Sequence, residues 1–140
     1  MRNTPLIFLL FFLLVSCRQP VTVDDFRAGE GPYVFAVDLS DSTAAYDFDL
    51  YTRVDVPHPH EWASLPRELA LEMVWKSPSG ALFREKVYLP LAATVYEPYR
   101  ADVRPAEPGE WTLTVYAPSA PDGFRGMGLV INKKSWATEN

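Results

Sequence analysis

The chain has 140 residues, with 13 Lys+Arg against 18 Asp+Glu and a formal net charge of −5 at pH 7; that length suits one domain and leaves no room for a second large core. The acidic balance, without a cluster of Lys or Arg, argues against nucleic acid as a partner, and the single cysteine excludes both an intrachain disulfide framework and multi-cysteine zinc patterns. At 48% hydrophobic and 14% aromatic the composition is that of a folded, aromatic-rich domain rather than a disordered chain.

The first element in chain order is apolar throughout. After Arg2, residues 6–15 read Leu-Ile-Phe-Leu-Leu-Phe-Phe-Leu-Leu-Val without interruption. As a helix this run covers roughly 15 Å, about half of a ~30 Å hydrocarbon core. It lacks the polar face of a helix packed on a core and suits the apolar centre of an export signal. The run ends in Leu14, Val15, Ser16 and Cys17, which resembles the lipobox of bacterial lipoproteins: an aliphatic residue, a branched one, a small one, then the acceptor cysteine. The resemblance implies a diacylglyceryl group on the Cys17 thiol and cleavage between Ser16 and Cys17, so residues 1–16 are expected to be a lipoprotein signal peptide. Acyl chains contribute about 0.8 kcal/mol per buried CH₂, and two or more hold a protein stably on a bilayer. Residue 18 is Arg rather than Asp, so the usual inner-membrane retention signal is missing and the expected location is the outer membrane. A lipidated Cys17 is also lost to thiol chemistry.

Residues 17–32 hold few aliphatics and end in Gly29, Glu30, Gly31 and Pro32, which predicts a short tether followed by a turn. Period-two patterns then begin. Tyr33, Phe35 and Val37 alternate with Val34, Ala36 and Asp38. Tyr46, Phe48, Leu50, Thr52 and Val54 alternate with Asp47, Asp49, Tyr51, Arg53 and Asp55, the clearest half-buried strand in the sequence. Pro57 and Pro59 close it, because proline cannot donate to a ladder. Over residues 65–75 two readings compete. Leu69, Leu71, Met73 and Trp75 fit a strand. Ser64 as N-cap with Leu65, Leu69 and Met73 on one face fits a helix. The strand is preferred because it makes a hairpin with residues 81–91 across the turn Ser77-Pro78-Ser79-Gly80. Trp111, Leu113 and Val115 form another inward row, and residues 126–131 a last strand. About seven short strands between proline and glycine turns predict an all-β, antiparallel β-sandwich of jelly-roll or Ig-like kind, a single domain over residues 33–132 with a C-terminal tail at 133–140.

Several of these features, in order, resemble the GldH group of gliding-motility lipoproteins. They are the lipobox, Tyr33-x-Phe35, Asp41, residues 46–53, Leu69-x-Leu71, Pro78-x-Gly80, Gly109-x-Trp111-x-Leu113 and Gly126-x-Gly128-Leu129-x-Ile131. The resemblance spans nearly the whole chain after Cys17. It implies an outer-membrane-associated lipoprotein of Bacteroidetes, linked to surface gliding and type IX secretion, with no established enzymatic activity. It carries over no catalytic residues. This sequence departs from the family in its shortness and in its proline- and histidine-rich stretch 57–66.

The residues themselves offer few chemical sites. His58 and His60 sit two apart across a proline, near Glu61, and a zinc site needs further ligands fixed in place; exposed loop histidines are the simpler account. Asp38, Asp41, Asp47 and Asp49 gather near one turn but lack the EF-hand spacing, and Asp41 before Ser42 suits a turn that bonds its own backbone. No G-x-S-x-G elbow, phosphate loop or dinucleotide fingerprint occurs. The expectation is no catalytic residue, no metal and no cofactor. The outward row Asp47, Asp49, Tyr51 and Arg53 is the candidate surface for another envelope protein, by face packing or strand addition. The rival reading is a glycan-binding surface using Trp62 and Trp136, the two tryptophans off the inward rows; Trp75 and Trp111 are expected in the core.

Overall fold

The computed structural model describes residues 21–91 and 96–135. Eight strands account for most of them: β1 (Val21–Ala28), β2 (Tyr33–Leu39), β3 (Ala44–Val54), β4 (Glu68–Lys76), β5 (Leu82–Pro90), β6 (Glu97–Val103), β7 (Gly109–Tyr116) and β8 (Phe124–Ser135), with a 3₁₀ turn at Pro59–Ser64 between β3 and β4. They form two four-stranded antiparallel sheets, ordered β1-β8-β3-β6 and β2-β7-β4-β5. Every connection crosses from one sheet to the other except the β4–β5 hairpin. That order is the double-sheet jelly roll, so the expected antiparallel sandwich is what the chain forms.

Alternation decides which face of each strand meets the other sheet. On β2, Tyr33, Phe35, Val37 and Leu39 are buried and the residues between them exposed. On β3, Tyr46, Phe48, Leu50, Thr52 and Val54 point in while Tyr51 and Arg53 point out. Leu69, Leu71 and Met73 of β4 meet Leu113 and Val115 of β7, and Met127, Leu129 and Ile131 of β8 complete the core. Residues 68–76 are a strand, paired along its length with β5 from Glu68↔Pro90 to Lys76↔Leu82. The helix alternative fails there because Leu71, which a helix would turn away from the face of Leu69 and Met73, is fully buried between them.

Two expected boundaries move. The stretch read as a tether contains β1, whose eight residues pair with β8 from Val21↔Lys133 to Ala28↔Gly126. Its apolar residues are sparse because it is an edge strand over a neighbour rich in core residues. At the other end β8 continues through Ser135, so residues 133–135 belong to the sheet rather than to a tail. The sandwich therefore occupies residues 21–135.

The pairings also fix which loops share an end. β1 and β3 run in the same direction on either side of β8, to which both are antiparallel. The start of β1, the β2–β3 loop, the β4–β5 turn and the β6–β7 loop thus lie at one end. The β3–β4 and β7–β8 connections lie at the other.

Candidate functional site

The outward row of β3 was the surface picked from sequence, and its neighbours define what it presents. Across β8, Tyr51 pairs with Gly128 and Arg53 with Gly126; on the far side of β8 the same glycines pair with Phe26 and Ala28 of β1. Side chains are thus missing from the middle of the sheet's outer face, and aromatic rings fill the trough. The Tyr51 ring lies over Gly128 so closely that a Cβ there would come within 2.1 Å of its ring carbons. Phe26 stacks on Tyr51 at 5.9 Å between centroids and 18° between planes, and Tyr96 meets Tyr51 edge-on at 4.9 Å. The guanidinium of Arg53 sits 4.8 Å from the Phe26 centroid, a cation–π distance. One carboxylate binds the group together: Tyr51 Oη donates to Asp24 Oδ1 at 2.6 Å and Tyr96 Oη to Asp24 Oδ2 at 3.3 Å. Burial, reinforced by the hydrogen bond to Asp24, pushes the Tyr51 phenol well above its ordinary value. It therefore remains a donor at any physiological pH.

The two aspartates of the same row have other roles. Asp47 accepts the Asp102 N–H at 2.8 Å and faces Lys134 Nζ at 2.9 Å, while Lys134 also reaches Asp102 Oδ1 at 2.9 Å. Burial opposes ionisation of Asp47, but the Asp102 amide and the Lys134 ammonium outweigh it and hold the carboxyl below its usual range. These contacts tie β3, β6 and β8 together where β6 slips register against β3 and Asp102 takes a positive φ of 53°. Asp47 is thus part of the framework. Asp49 is half-buried opposite Val130. Of the four residues chosen from sequence, Tyr51 and Arg53 enter one cluster, and its other members are Phe26, Tyr96 and Asp24. Sequence reading missed Phe26 and Asp24 because 21–28 was assigned to a tether; the alternation Val21, Val23 against Thr22, Asp24 was the available signal.

The remaining candidates are quickly placed. His58 and His60 stack parallel at 5.5 Å on an exposed loop, and among the described residues no group of three His, Cys, Asp or Glu is arranged to hold a metal ion. Asp38 accepts from the N–H and hydroxyl of Ser40, and Asp41 from those of Thr43, so both shape the β2–β3 turn. Asp41 also pairs with Lys133 at 2.9 Å. Trp62 is 40% exposed in the 3₁₀ turn. Trp136 lies outside the described residues, as do Ser16 and Cys17. Trp75 and Trp111 face inward but are only half-buried, beside a cleft at the sandwich edge. No described helix is long and apolar enough to cross a membrane.

No family model matches the chain, and no curated protein matches it. Among solved structures, one of infectious bursal disease virus, Gx strain, is similar over 81% of this chain and 32% of that chain, at 10% identity and a TM-score of 0.37. This chain spans about a third of that one, and at such a score the likeness assigns it no role.

Proposed function

We propose that this chain is a lipid-anchored, non-catalytic component of a cell-envelope assembly, held at the outer membrane through Cys17, with the outer face of the β1-β8-β3-β6 sheet as its docking surface for another envelope protein. The observation that carries the reading is the sequence Leu14-Val15-Ser16-Cys17 at the end of the apolar run 6–15, at the chain's only cysteine, four residues before the first strand. An acyl group there would place a rigid sandwich directly beside a bilayer, the arrangement of a protein that works against membrane neighbours. The resemblance to the GldH lipoproteins points the same way and adds gliding or type IX secretion as the kind of assembly.

Three experiments test it. Mass spectrometry of the native protein should find an N-terminus at Cys17 carrying diacylglycerol, and Cys17→Ala should leave the protein out of the membrane fraction. Any other N-terminus, or an unmodified cysteine, removes the reading. A photocrosslinker at position 53 should capture one envelope protein that a crosslinker at position 79, in the β4–β5 turn at the opposite end, does not.

The aromatic cluster gives a second reading some support. Phe26, Tyr51 and Tyr96 present ring surface beside hydroxyl, carboxylate and guanidinium groups, the mixture that stacks on and hydrogen-bonds to a sugar. Trp62 of the expected tryptophan platform is not one of these rings, and Trp136 lies outside the described residues. Retention on a polysaccharide that is lost in Tyr96→Ala would favour this reading over a protein partner.

A further inference from the structure

β5 closes one side of its sheet and pairs with β4 alone among the described strands. The pairing runs without a register shift from Glu68↔Pro90 to Lys76↔Leu82. Just beyond its two ends, Ser77 N–H donates to Ala81 O at 2.9 Å and Leu91 N–H to Arg67 O at 3.0 Å. Hydrogen-bonded pairs alternate along an antiparallel ladder, so Phe83, Glu85, Val87 and Leu89 direct their N–H and C=O groups to β4. Leu82, Arg84, Lys86 and Tyr88 turn theirs to the open side. The side chains of these four share the outer face, where all are exposed. Leu82, Tyr88 and, on the inner row, Phe83 are each more than half exposed.

The charges on this edge are unmatched. Arg27, Arg100, Arg125, Lys133 and Lys134 each pair with a carboxylate, whereas Arg84 and Lys86 pair with none among the described residues. Lys86 Nζ lies 5.5 Å from the Tyr88 ring centroid, and Glu72, opposite it on β4, makes no ion pair with it. Glu85, the one acid of β5, is turned inward and taken by Arg100 and the Tyr99 hydroxyl. Lys76, opposite Leu82, adds a third cation to the face. Charge on an edge strand commonly guards it against pairing, together with shortness, a bulge or a polar surface. This edge runs nine residues, keeps its register and exposes three large apolar side chains. Its charge therefore selects a partner. A second copy is repelled, because the antiparallel registers of β5 on itself that overlap most set Arg84 or Lys86 opposite Arg84 or Lys86. A strand with carboxylates at alternate positions sets both opposite the two cations, while its intervening residues turn inward beside Phe83 and Val87.

We propose that β5 takes up an extended acidic segment of another protein as an added antiparallel strand, its carboxylates spaced two residues apart opposite Arg84 and Lys86. This surface belongs to the other sheet from the docking face proposed above, and it needs no acyl group on Cys17. The test measures fluorescence anisotropy of labelled peptides with the full chain. Thr-Val-Glu-Val-Glu-Val-Thr should bind at least about tenfold more tightly than Thr-Val-Val-Glu-Glu-Val-Thr, which has the same composition and charge, and than Thr-Val-Lys-Val-Lys-Val-Thr. The double variant Arg84→Glu/Lys86→Glu should reverse the order and prefer the lysine peptide, a gain that an unfolded protein cannot show. N-methylation of the two Glu nitrogens, which face β5 in the antiparallel arrangement, should abolish binding, while N-methylation of the central Val nitrogen, which faces away, should leave it within about threefold. Tyr96→Ala, on the other sheet, should leave it unchanged. Equal binding of the adjacent-Glu peptide, or indifference to methylation of the Glu nitrogens, would reduce the edge to a charged patch and overturn the proposal. So would self-association of the full chain that the double variant abolishes, with no peptide bound, which would assign the edge to a second copy.

Discussion

Thr52 is the one polar residue on the inward row of β3, and it is 1% exposed with its hydroxyl oxygen lacking any hydrogen-bond partner. It sits opposite Met127 in a region otherwise filled by hydrocarbon. Valine has nearly the same shape and no oxygen to desolvate, so Thr52→Val is expected to stabilise the fold by about 1 kcal/mol. Urea denaturation should show a higher midpoint at unchanged slope. A lower midpoint would mean that the hydroxyl is satisfied in solution. The carboxylates of the β2–β3 turn act in the opposite direction. The Lys133 ammonium, then the hydroxyl and amide of Thr43, hold the Asp41 carboxyl far below the usual carboxylate range. In the unfolded chain that carboxyl takes up a proton near pH 4. Below this the unfolded state binds more protons than the native one, so the contribution of Asp41 is present above pH 4 and fades as the pH falls. Asp38, lowered by its bonds to Ser40, and Asp47 add in the same sense. The unfolding midpoint should be flat between pH 7 and about 5 and drop below about 4, with a shallower drop in Asp41→Asn.

At the scale of the element, the sandwich rests on which side of each strand is apolar, and β4 allows a direct test. Leu71 is fully buried and Glu72 beside it is exposed. Leu71→Ala should cost about 2–5 kcal/mol through lost burial and the cavity it leaves, whereas Glu72→Ala should stay within about 0.5 kcal/mol. Similar costs at the two positions would contradict the strand assignment. The same alternation made most of the fold legible in the sequence, since β2, β3, β4, β7 and β8 each carry an unbroken inward row. The strands that were missed or blurred lie at sheet edges. β1 has a neighbour on one side only, and its single large apolar side chain on the outer face, Phe26, packs on Tyr51 instead of entering the core. β6 reads Glu-Pro-Tyr-Arg-Ala-Asp-Val and follows β3 through register shifts rather than by strict alternation. Sites suffer more than strands from this. Tyr51 and Arg53 were visible as an outward row, but their partners Phe26, Asp24 and Tyr96 come from segments distant in sequence. Trp75 and Trp111 were read correctly as inward. No periodicity could say that the two sheets part beside them and leave a cleft, because that depends on how the sheet edges stack.

For the molecule as a whole, the direction of β1 decides what faces the bilayer. Four residue steps separate Cys17 from Val21, and even fully extended they reach no more than about 14 Å. β1 starts at the end that carries the β4–β5 turn and the β6–β7 loop. With Cys17 acylated as proposed, this end must lie against the membrane and the β7–β8 loop must point away. Single cysteines report the difference cleanly, because the chain's own cysteine would be consumed by the proposed lipid. Ser79 in the β4–β5 turn and Ser119 in the β7–β8 loop are both exposed. In lipid vesicles Ser79→Cys should react with a bulky polyethylene-glycol maleimide at least several-fold more slowly than Ser119→Cys, while in detergent-free soluble protein made with Cys17→Ala the two should react alike. A twelve-residue Gly/Ser insertion after Arg18 adds a flexible reach of roughly 20 Å and should erase the difference in vesicles without altering the fold. Equal rates in the uninserted, acylated protein would show that the sandwich lies on its side.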